Sequence, residues 1–171
     1  MAPGYLDPAI EPDLLSWSWA EERLLRARTY WVATTRADGL PHCRPVWAVF
    51  LAGRIWFSTA GRIAENIRHR PDVSLNLDNG DECVIVEGVA EAVTDPAAMR
   101  DFAAVYGPKY GWDVGNDVEG LYAVRPRVAF GWRVTADAGS LTRTATRWLF
   151  AETSSPTLPA EGRETDGGGP R

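Results

Sequence analysis

The residues best suited to chemistry lie in one stretch, residues 57–71, where an apolar run gives way to small hydroxyl side chains, a glycine and an arginine. Ser58 and Thr59 follow the aromatic end of a predicted strand, Arg62 comes next, and Pro71 ends an amphipathic segment. This order predicts a strand that turns into a short helix. Because the first N–H groups of a helix lack partners within it and carry partial positive charge, the turn can hold an anion. The stretch is therefore a candidate phosphate site.

A phosphate at this turn would be held by side chains that the predicted helix brings together. Ser58, Thr59, Arg62 and Asn66 converge there if the strand ends and the helix begins as expected. An arginine can bind a phosphate through two parallel hydrogen bonds, and hydroxyl groups can donate to it. The alternative is that the two hydroxyls cap the helix and that Arg62 is solvated. The residues by themselves leave both interpretations open.

The sequence offers little other catalytic chemistry. Its two histidines are His42 and His69, and neither occurs in a spacing typical of a metal site. His42 precedes Cys43, so in a strand the two side chains point to opposite faces and cannot form a catalytic pair. With Cys83 the chain has two cysteines, too few for a disulfide framework. We therefore predict neither a nucleophile–base pair nor a metal centre.

Composition indicates an ordinary globular protein. The 171 residues are 45% hydrophobic and 24% charged, which suits one domain with a real core. A net charge of −5, without a run of Lys or Arg, disfavours a nucleic-acid partner. No segment has membrane-spanning length and the first residues lack the order of a signal peptide, so we expect a cytoplasmic protein without a membrane partner. Eight tryptophans are a high number and suggest a dimer interface or an aromatic ligand.

The chain divides into an extended segment (1–12), a domain (13–150) and a polar tail (151–171) that we expect to be disordered. Ser18 and Glu21 resemble a capping box of the first helix, and Gly88 suggests a bulge or a close backbone approach. Periodicity and turn signals predict helices at 13–28, 61–70 and 95–107, and strands at 30–35, 41–50, 54–59, 73–77, 83–93, 122–126 with 128–135, and 142–150. Six or seven mostly hairpin-linked strands with peripheral helices predict an α+β domain dominated by β-structure, built as an antiparallel barrel.

The second predicted strand provides a surface beside the candidate phosphate site. Pro41 and Pro45 interrupt it, which is typical of an edge, a bulge or a wall that faces a ligand. A short turn joins this strand to the next, so we expect Pro45, Val46 and Trp47 to lie beside Ser58. A planar ring along these three residues, with its phosphate at the turn, has the shape of a flavin-type nucleotide.

Three segments in this order, residues 34–42, 45–47 and 57–75, resemble the pyridoxamine 5′-phosphate oxidase-like superfamily. The resemblance covers about residues 13–150 and implies a split β-barrel of the FMN-binding type that dimerises and binds a flavin nucleotide at the dimer interface. Residues 109–112 and 146–150 are most similar to the flavin/deazaflavin oxidoreductase branch. Members of that branch often use the deazaflavin coenzyme F420 and reduce small molecules by hydride transfer.

The resemblance implies a cofactor site formed by Pro45, Val46, Trp47, Ser58, Thr59, Arg62, Asn66, Arg147 and Trp148. The first three would lie beside the ring and the next four at the phosphate, whereas Arg147 and Trp148 would reach the cofactor from the partner subunit. One departure matters. The family usually has a lysine directly after the arginine, and here that position is Ile63, which would weaken cofactor binding or indicate a changed ligand.

Three functions are consistent with these residues. The first is a homodimeric oxidoreductase that passes hydride from F420 to a small organic acceptor, and the second is an FMN-dependent oxidase or reductase of the same fold. The third is a non-catalytic binding protein for a flavin, heme or another planar ligand. Ile63 favours the third function, whereas Arg62 and the neighbouring hydroxyls favour retained binding. No catalytic side chain is assigned, because in such enzymes the cofactor carries the chemistry.

Overall fold

The computed structural model describes residues 11–115, 118–137 and 140–151. Within these ranges the helices are α1 (Trp17–Arg26), α2 (Gly61–His69), α3 (Pro96–Tyr110) and α4 (Ser140–Thr144). The strands are β1 (Thr29–Thr35), β2 (Pro41–Trp47), β3 (Val49–Leu51), β4 (Arg54–Ser58), β5 (Asp72–Leu77), β6 (Glu82–Ala92), β7 (Leu121–Arg133) and β8 (Thr146–Leu149). The first ten residues of the expected extended segment, and the expected tail from residue 152 onward, lie outside the described residues.

The strands form one antiparallel sheet in the order β2-β1-β5-β6-β7-β4-β3, and β8 pairs with β7. The two ends of this order, β2 and β3, are consecutive in the chain and separated by Ala48 alone. The sheet therefore curls until its edges meet at one residue, which confirms the split β-barrel. The described residues contain eight strands rather than six or seven, because Ala48 interrupts the strand predicted at 41–50.

Alternate strand residues fill the inside of the curled sheet. Tyr30 and Val32 of β1, for example, are fully buried, and each such side chain contributes about 1.5–3 kcal/mol of hydrophobic stabilisation. Ile63, Ala64 and Ile67 of α2 join this main core, so α2 is fixed firmly against the barrel. A second cluster packs α3 against β3 and β4 through the residues Phe102, Tyr106, Tyr110, Val49 and Trp56.

Two helix boundaries differ from those predicted. The side chain of Ser16, not Ser18, accepts from the Trp19 amide at 3.3 Å, so the expected capping box is wrong and α1 begins at Trp17. Helix α3 continues through Pro108 to Tyr110 and ends at Gly111, whose φ of +66° suits the left-handed cap. A proline in the last turn removes only one intrahelical hydrogen bond, and the burial of Tyr110 favours the additional turn.

Two other expectations for strands have different outcomes. The strand predicted at 142–150 is wrong in its first part, which forms α4 before β8 begins at Thr146. The bulge predicted at Gly88 is confirmed, because the register of β6 against β7 shifts between Glu87 and Gly88. A Cβ at Gly88 would lie 2.2 Å from the Arg125 carbonyl oxygen, so only glycine permits this close approach.

Candidate functional site

The end of β4 and the start of α2 form the turn that the sequence singled out. Helix α2 begins at Gly61, whose φ is +63°, and its N-cap residue Ala60 provides no side-chain hydrogen bond. The Ser58 hydroxyl donates to the Glu119 carbonyl oxygen at 2.8 Å, and the Thr59 hydroxyl to that of Ala60 at 3.4 Å. The alternative that these hydroxyls cap the helix is therefore wrong. No side chain caps the first amides of α2, which are open to an anion.

This turn borders a cleft of about 610 Å³, lined by Thr59, Ala60, Gly61, Arg62, Ala64, Glu65, Arg68, Glu119, Gly120 and Tyr122. One wall depends on Gly120, since a Cβ there would lie 2.1 Å from the Thr59 carbonyl oxygen. The Thr59 amide in turn donates to the Gly120 carbonyl oxygen at 3.0 Å. Arg62 is exposed and pairs with Glu65 at 2.9 Å, one turn along the helix. The cleft thus contains two arginines and two carboxylates.

Asn66 and Ile63 do not reach this cleft. Asn66 is 1% exposed, and its Nδ2 donates to the Thr34 hydroxyl at 2.9 Å. Ile63 is 8% exposed and belongs to the main core. The structure therefore places Thr59 and Arg62 at the cleft, bonds the Ser58 hydroxyl to the Glu119 backbone, and places Asn66 elsewhere. It also shows that the position of the family lysine points into the core of this protomer.

The register of β1 against β2 separates the residues expected to line a ring. His42, Arg44 and Val46 pair with core-facing residues of β1, whereas Pro45 and Trp47 pair with residues of the opposite face. Because side chains directly opposite each other in a ladder share a face, the three residues from Pro45 to Trp47 cannot present a single wall of side chains. Pro45 and Trp47 share one face, and Val46 lies on the other.

Sequence reasoning missed a cluster of cations beside α2. Partial burial and the positive charges of Arg44, Arg62 and Arg36 lower the pKa of His42 below its usual range. The three guanidinium groups disfavour protonation of this imidazole, although Arg36 is also paired with Asp38 at 2.8 Å and Arg62 with Glu65 at 2.9 Å. The Thr34 hydroxyl, which accepts from α2, also lies 3.2 Å from the His42 carbonyl oxygen and links the helix to β2. The two-residue alternation of β2 is the signal that could have identified His42 and Arg44.

Trp47 is held as a fixed, partly open platform. Its side chain stacks on Tyr110 with ring centroids 4.9 Å apart and an interplanar angle of 7°, yet Trp47 remains 47% exposed. The Tyr110 hydroxyl lies 2.7 Å from the Ala48 carbonyl oxygen and accepts from the Ala48 amide at 2.9 Å. Helix α3 is thereby tied to the residue where β2 passes into β3, and Trp47 presents its other surface to solvent.

The two residues expected to act from the partner subunit occupy different faces. Trp148 packs against the main core, makes an edge-on contact with Trp17 at 5.4 Å and covers Gly131, where a Cβ would lie 2.9 Å from its ring. Trp148 is therefore a packing residue of its own protomer. Arg147 is exposed on the outer face opposite Phe130, without an ion pair among the described residues.

The outer face of the sheet is unusually apolar. The register places Trp31, Pro45, Ile85, Phe130 and Leu149 on this face of β1, β2, β6, β7 and β8, with Asn76 of β5 between Trp31 and Ile85. Leu149 is 72% exposed, and an apolar groove of about 440 Å³ lies along Ile85 and Phe130. Exposed apolar side chains grouped on one face of a sheet are typical of an interaction site.

The described part of the chain contains no group of three His, Cys, Asp or Glu side chains arranged to hold a metal ion. None of its helices combines the length and the apolar composition needed to cross a membrane.

The curled sheet, with a cleft where β4 passes into α2, defines a split β-barrel domain. A family model described as pyridoxamine 5′-phosphate oxidase matches residues 19–140, most of the chain, and the chain belongs to this family. A search of curated proteins found no match.

Solved structures agree with the fold. A conserved hypothetical protein from Mycobacterium tuberculosis is 26% identical, with a TM-score of 0.62 over 70% of this chain and 85% of its own. A structure named F420 reductase is 24% identical, with a TM-score of 0.51 over 64% and 94%. The heme storage protein of Vibrio cholerae is 18% identical, with a TM-score of 0.54 over 68% and 91%.

Proposed function

We propose that this protein is a homodimeric oxidoreductase that binds a flavin-type cofactor, with F420 favoured, and reduces a small organic acceptor. The observation that carries the proposal is the uncapped start of α2, with Arg62 at the cleft and the charges of Arg44 and Arg36 close by. Membership of the family and the likeness to a structure named F420 reductase support it.

The chemistry of the cleft fits a phosphate. The first amides of α2 can donate to its oxygens, and the helix dipole favours its charge. Arg62 would exchange Glu65 for the phosphate, since an exposed ion pair contributes only about 0–1 kcal/mol. Glu65 and Glu119 also line the cleft, so the nearby guanidinium groups are needed to make it attractive to an anion. Arg62 and Arg44 suit the doubly charged monoester of FMN as well, whereas Arg36 is paired with Asp38 at 2.8 Å, and FMN is therefore the alternative cofactor.

The ring would lie on the Pro45 and Trp47 side of β2, where the indole is fixed by Tyr110 and open on its other side. When bound, such a cofactor supplies the hydride, and the protein has to bind it, orient it and exclude water. Val46 would contribute through its backbone, because its side chain points to the other face. Because the cofactor would supply the chemistry, the reaction needs no nucleophile–base pair, and the described residues of the cleft contain none.

Dimerisation is supported by the apolar outer face. A second copy seated on this face would cover Trp31, Phe130 and Leu149 and remove their area from water, which is the main driving force of such associations. Arg147, exposed on the same face, would then lie next to the partner subunit. Sedimentation at micromolar concentration is expected to show a dimer, and a monomer alone would contradict this part of the proposal.

A second candidate function is non-catalytic binding of heme or a similar planar ligand. Its specific support is His42, because burial and the neighbouring arginine charges lower the pKa of this imidazole and so favour the neutral form, which binds iron. The likeness to the heme storage protein agrees with it.

The deciding experiment is a parallel titration of the purified full chain with F420, FMN and heme. Arg62→Ala is expected to weaken binding of the preferred cofactor by about 1.5–3 kcal/mol, because it removes a charged hydrogen bond to phosphate. Arg70→Ala is the matched control, since Arg70 is exposed directly after α2 and has no ion pair among the described residues. If the Arg62→Ala variant binds the cofactor as tightly as the wild-type protein, the cleft is not part of the cofactor site. Tight heme binding that depends on His42 would favour the second candidate.

A further inference from the structure

A second group of cations lies at the other end of β2 and takes no part in the proposed phosphate site. Lys109 is in the last turn of α3, and Arg28 follows α1. The Lys109 Nζ donates to the Ala48 carbonyl oxygen at 3.0 Å, and the Arg28 Nη1 donates to the Lys109 carbonyl oxygen at 3.1 Å. Both cations are therefore held next to the junction between β2 and β3.

Aromatic rings surround these cations. The Lys109 Nζ lies 5.4 Å from the Tyr30 ring centroid and 5.6 Å from that of Tyr110, and the Arg28 guanidinium lies 5.3 Å from the Tyr110 centroid. Trp47 stacks on the same Tyr110 ring at 4.9 Å. Two cations and one open indole thus converge on a single tyrosine, and such cation–aromatic contacts stabilise the charges only partly.

No carboxylate neutralises this group within the described residues. Neither Arg28 nor Lys109 has an acidic oxygen within 4 Å, although several arginines elsewhere on the barrel are ion-paired. Lys109 is also partly buried, so its charge is less well hydrated than that of a surface lysine. A partly desolvated cation without a counter-charge is ready to receive an anion from outside.

We propose that Trp47, Lys109 and Arg28 form a binding site for a small aromatic carboxylate, whose ring stacks on the open side of Trp47 and whose carboxylate pairs with the two cations. The indole supplies a fixed flat surface, and the cations supply the charge that selects an acid over a neutral ring. Under the proposed function the cofactor ring would lie on the same open side of Trp47, so this molecule and the cofactor ring would compete for the indole. Binding of the carboxylate is measured without any cofactor, so failure here and failure of the phosphate site are separate results.

The test is calorimetric titration of the full chain with 2-naphthoate at pH 7, with neutral 2-naphthamide as the matched probe. The naphthoate is expected to bind at one site per chain and the amide at least tenfold more weakly. Lys109→Gln and Arg28→Gln are each expected to weaken naphthoate binding about tenfold, the loss of one charged hydrogen bond. Arg100→Gln, on the same helix and also exposed, is expected to leave the affinity unchanged.

A pH series distinguishes a ligand contact from a merely structural role. Burial and the nearby charge of Arg28 lower the pKa of Lys109 to about 8. The neighbouring Tyr30, Tyr106 and Tyr110 have raised pKa values, so among these described groups only Lys109 loses charge near pH 8. Naphthoate affinity is expected to fall as the pH rises through this region, and Lys109→Gln is expected to abolish the change.

Three results would overturn the site. They are equal affinities for the acid and the amide, unchanged affinity in a folded Lys109→Gln variant, and no heat of binding for wild type at millimolar naphthoate. Circular dichroism of each variant separates loss of binding from loss of folding.

Discussion

Strand β2 runs between two helix termini of opposite polarity. Near its start, His42 and Arg44 lie beside the N-terminal part of α2, where Arg62 borders the cleft. Just past its end, Ala48 receives Lys109 from the last turn of α3. A helix N-terminus carries partial positive charge and a C-terminus partial negative charge. The first end is therefore arranged to take an anion directly, whereas the second end first stabilises a cation that can then pair with one.

The two ends also differ in contact with water. The guanidinium of Arg62 is exposed, so its pair with Glu65 is easily exchanged. Lys109 is half-buried among aromatic rings, and burial is the main cause of its lowered pKa. The charge of the cleft is consequently fixed, while the charge beside Trp47 depends on pH and on a bound partner. Solvation, more than the number of cations, distinguishes the two regions.

The largest expected effect concerns the wall of the cleft. Gly120→Ala puts a Cβ 2.1 Å from the Thr59 carbonyl oxygen at a φ of +63°, whereas Gly115→Ala has a similar φ of +66° with nothing within 4 Å. We expect Gly120→Ala to lower the free energy of unfolding by about 3 kcal/mol and the control by about 1 kcal/mol. Urea unfolding measures both. Equal losses would mean that the cleft wall yields without strain.

Much of the fold follows from local pattern. The strand alternation of β1, the hairpin turns and the glycine of β6 all predict what the structure contains. The break at Ala48 could not be predicted, because it depends on hydrogen bonds from Tyr110, which is 62 residues away in the chain. The spacing of residues along the chain does not indicate that Tyr110 and Ala48 come into contact.

The candidate site shows the same limit. The residue order predicts the turn around Arg62, since strand, small residues and helix are consecutive, but the absence of a side-chain cap is seen only in the structure. Asn66 was placed at the phosphate because it follows Arg62 by one helical turn, yet its amide instead donates to Thr34 of another strand. Lys109 is singled out by sequence only within residues 109–112 of the resemblance, and its contacts depend on where α3 packs. Long-range packing decides which polar residues remain available.

The second-largest expected effect tests whether cofactor binding at the N-terminal end of α2 requires a further cation. Ile63→Lys restores the residue type usual in the family, but position 63 is buried in the core. We expect a loss of about 1–3 kcal/mol in unfolding free energy and no gain in cofactor affinity, because a buried amine has to be desolvated or displaced. Ile63→Met is the control for lost packing. Tighter cofactor binding by a stable Ile63→Lys variant would contradict this prediction. It would show that a lysine at position 63 can reach the cleft from the core side of α2.

The smallest expected effect lies at the α3 end and appears only as a function of pH. Folding lowers the pKa of Lys109 from 10.5 to about 8, so between these values the unfolded chain binds more protons than the folded chain. Stability contributed by this group therefore rises as the pH increases through that interval and is lowest below pH 8. Lys109→Met is expected to remove the rise, which urea unfolding at pH 7, 8 and 9 would detect below the range where the tyrosines ionise. A wild-type stability that falls from pH 7 to pH 9, in parallel with the variant, would mean that Lys109 is as well hydrated as Arg62 and that the two ends of β2 do not differ in solvation.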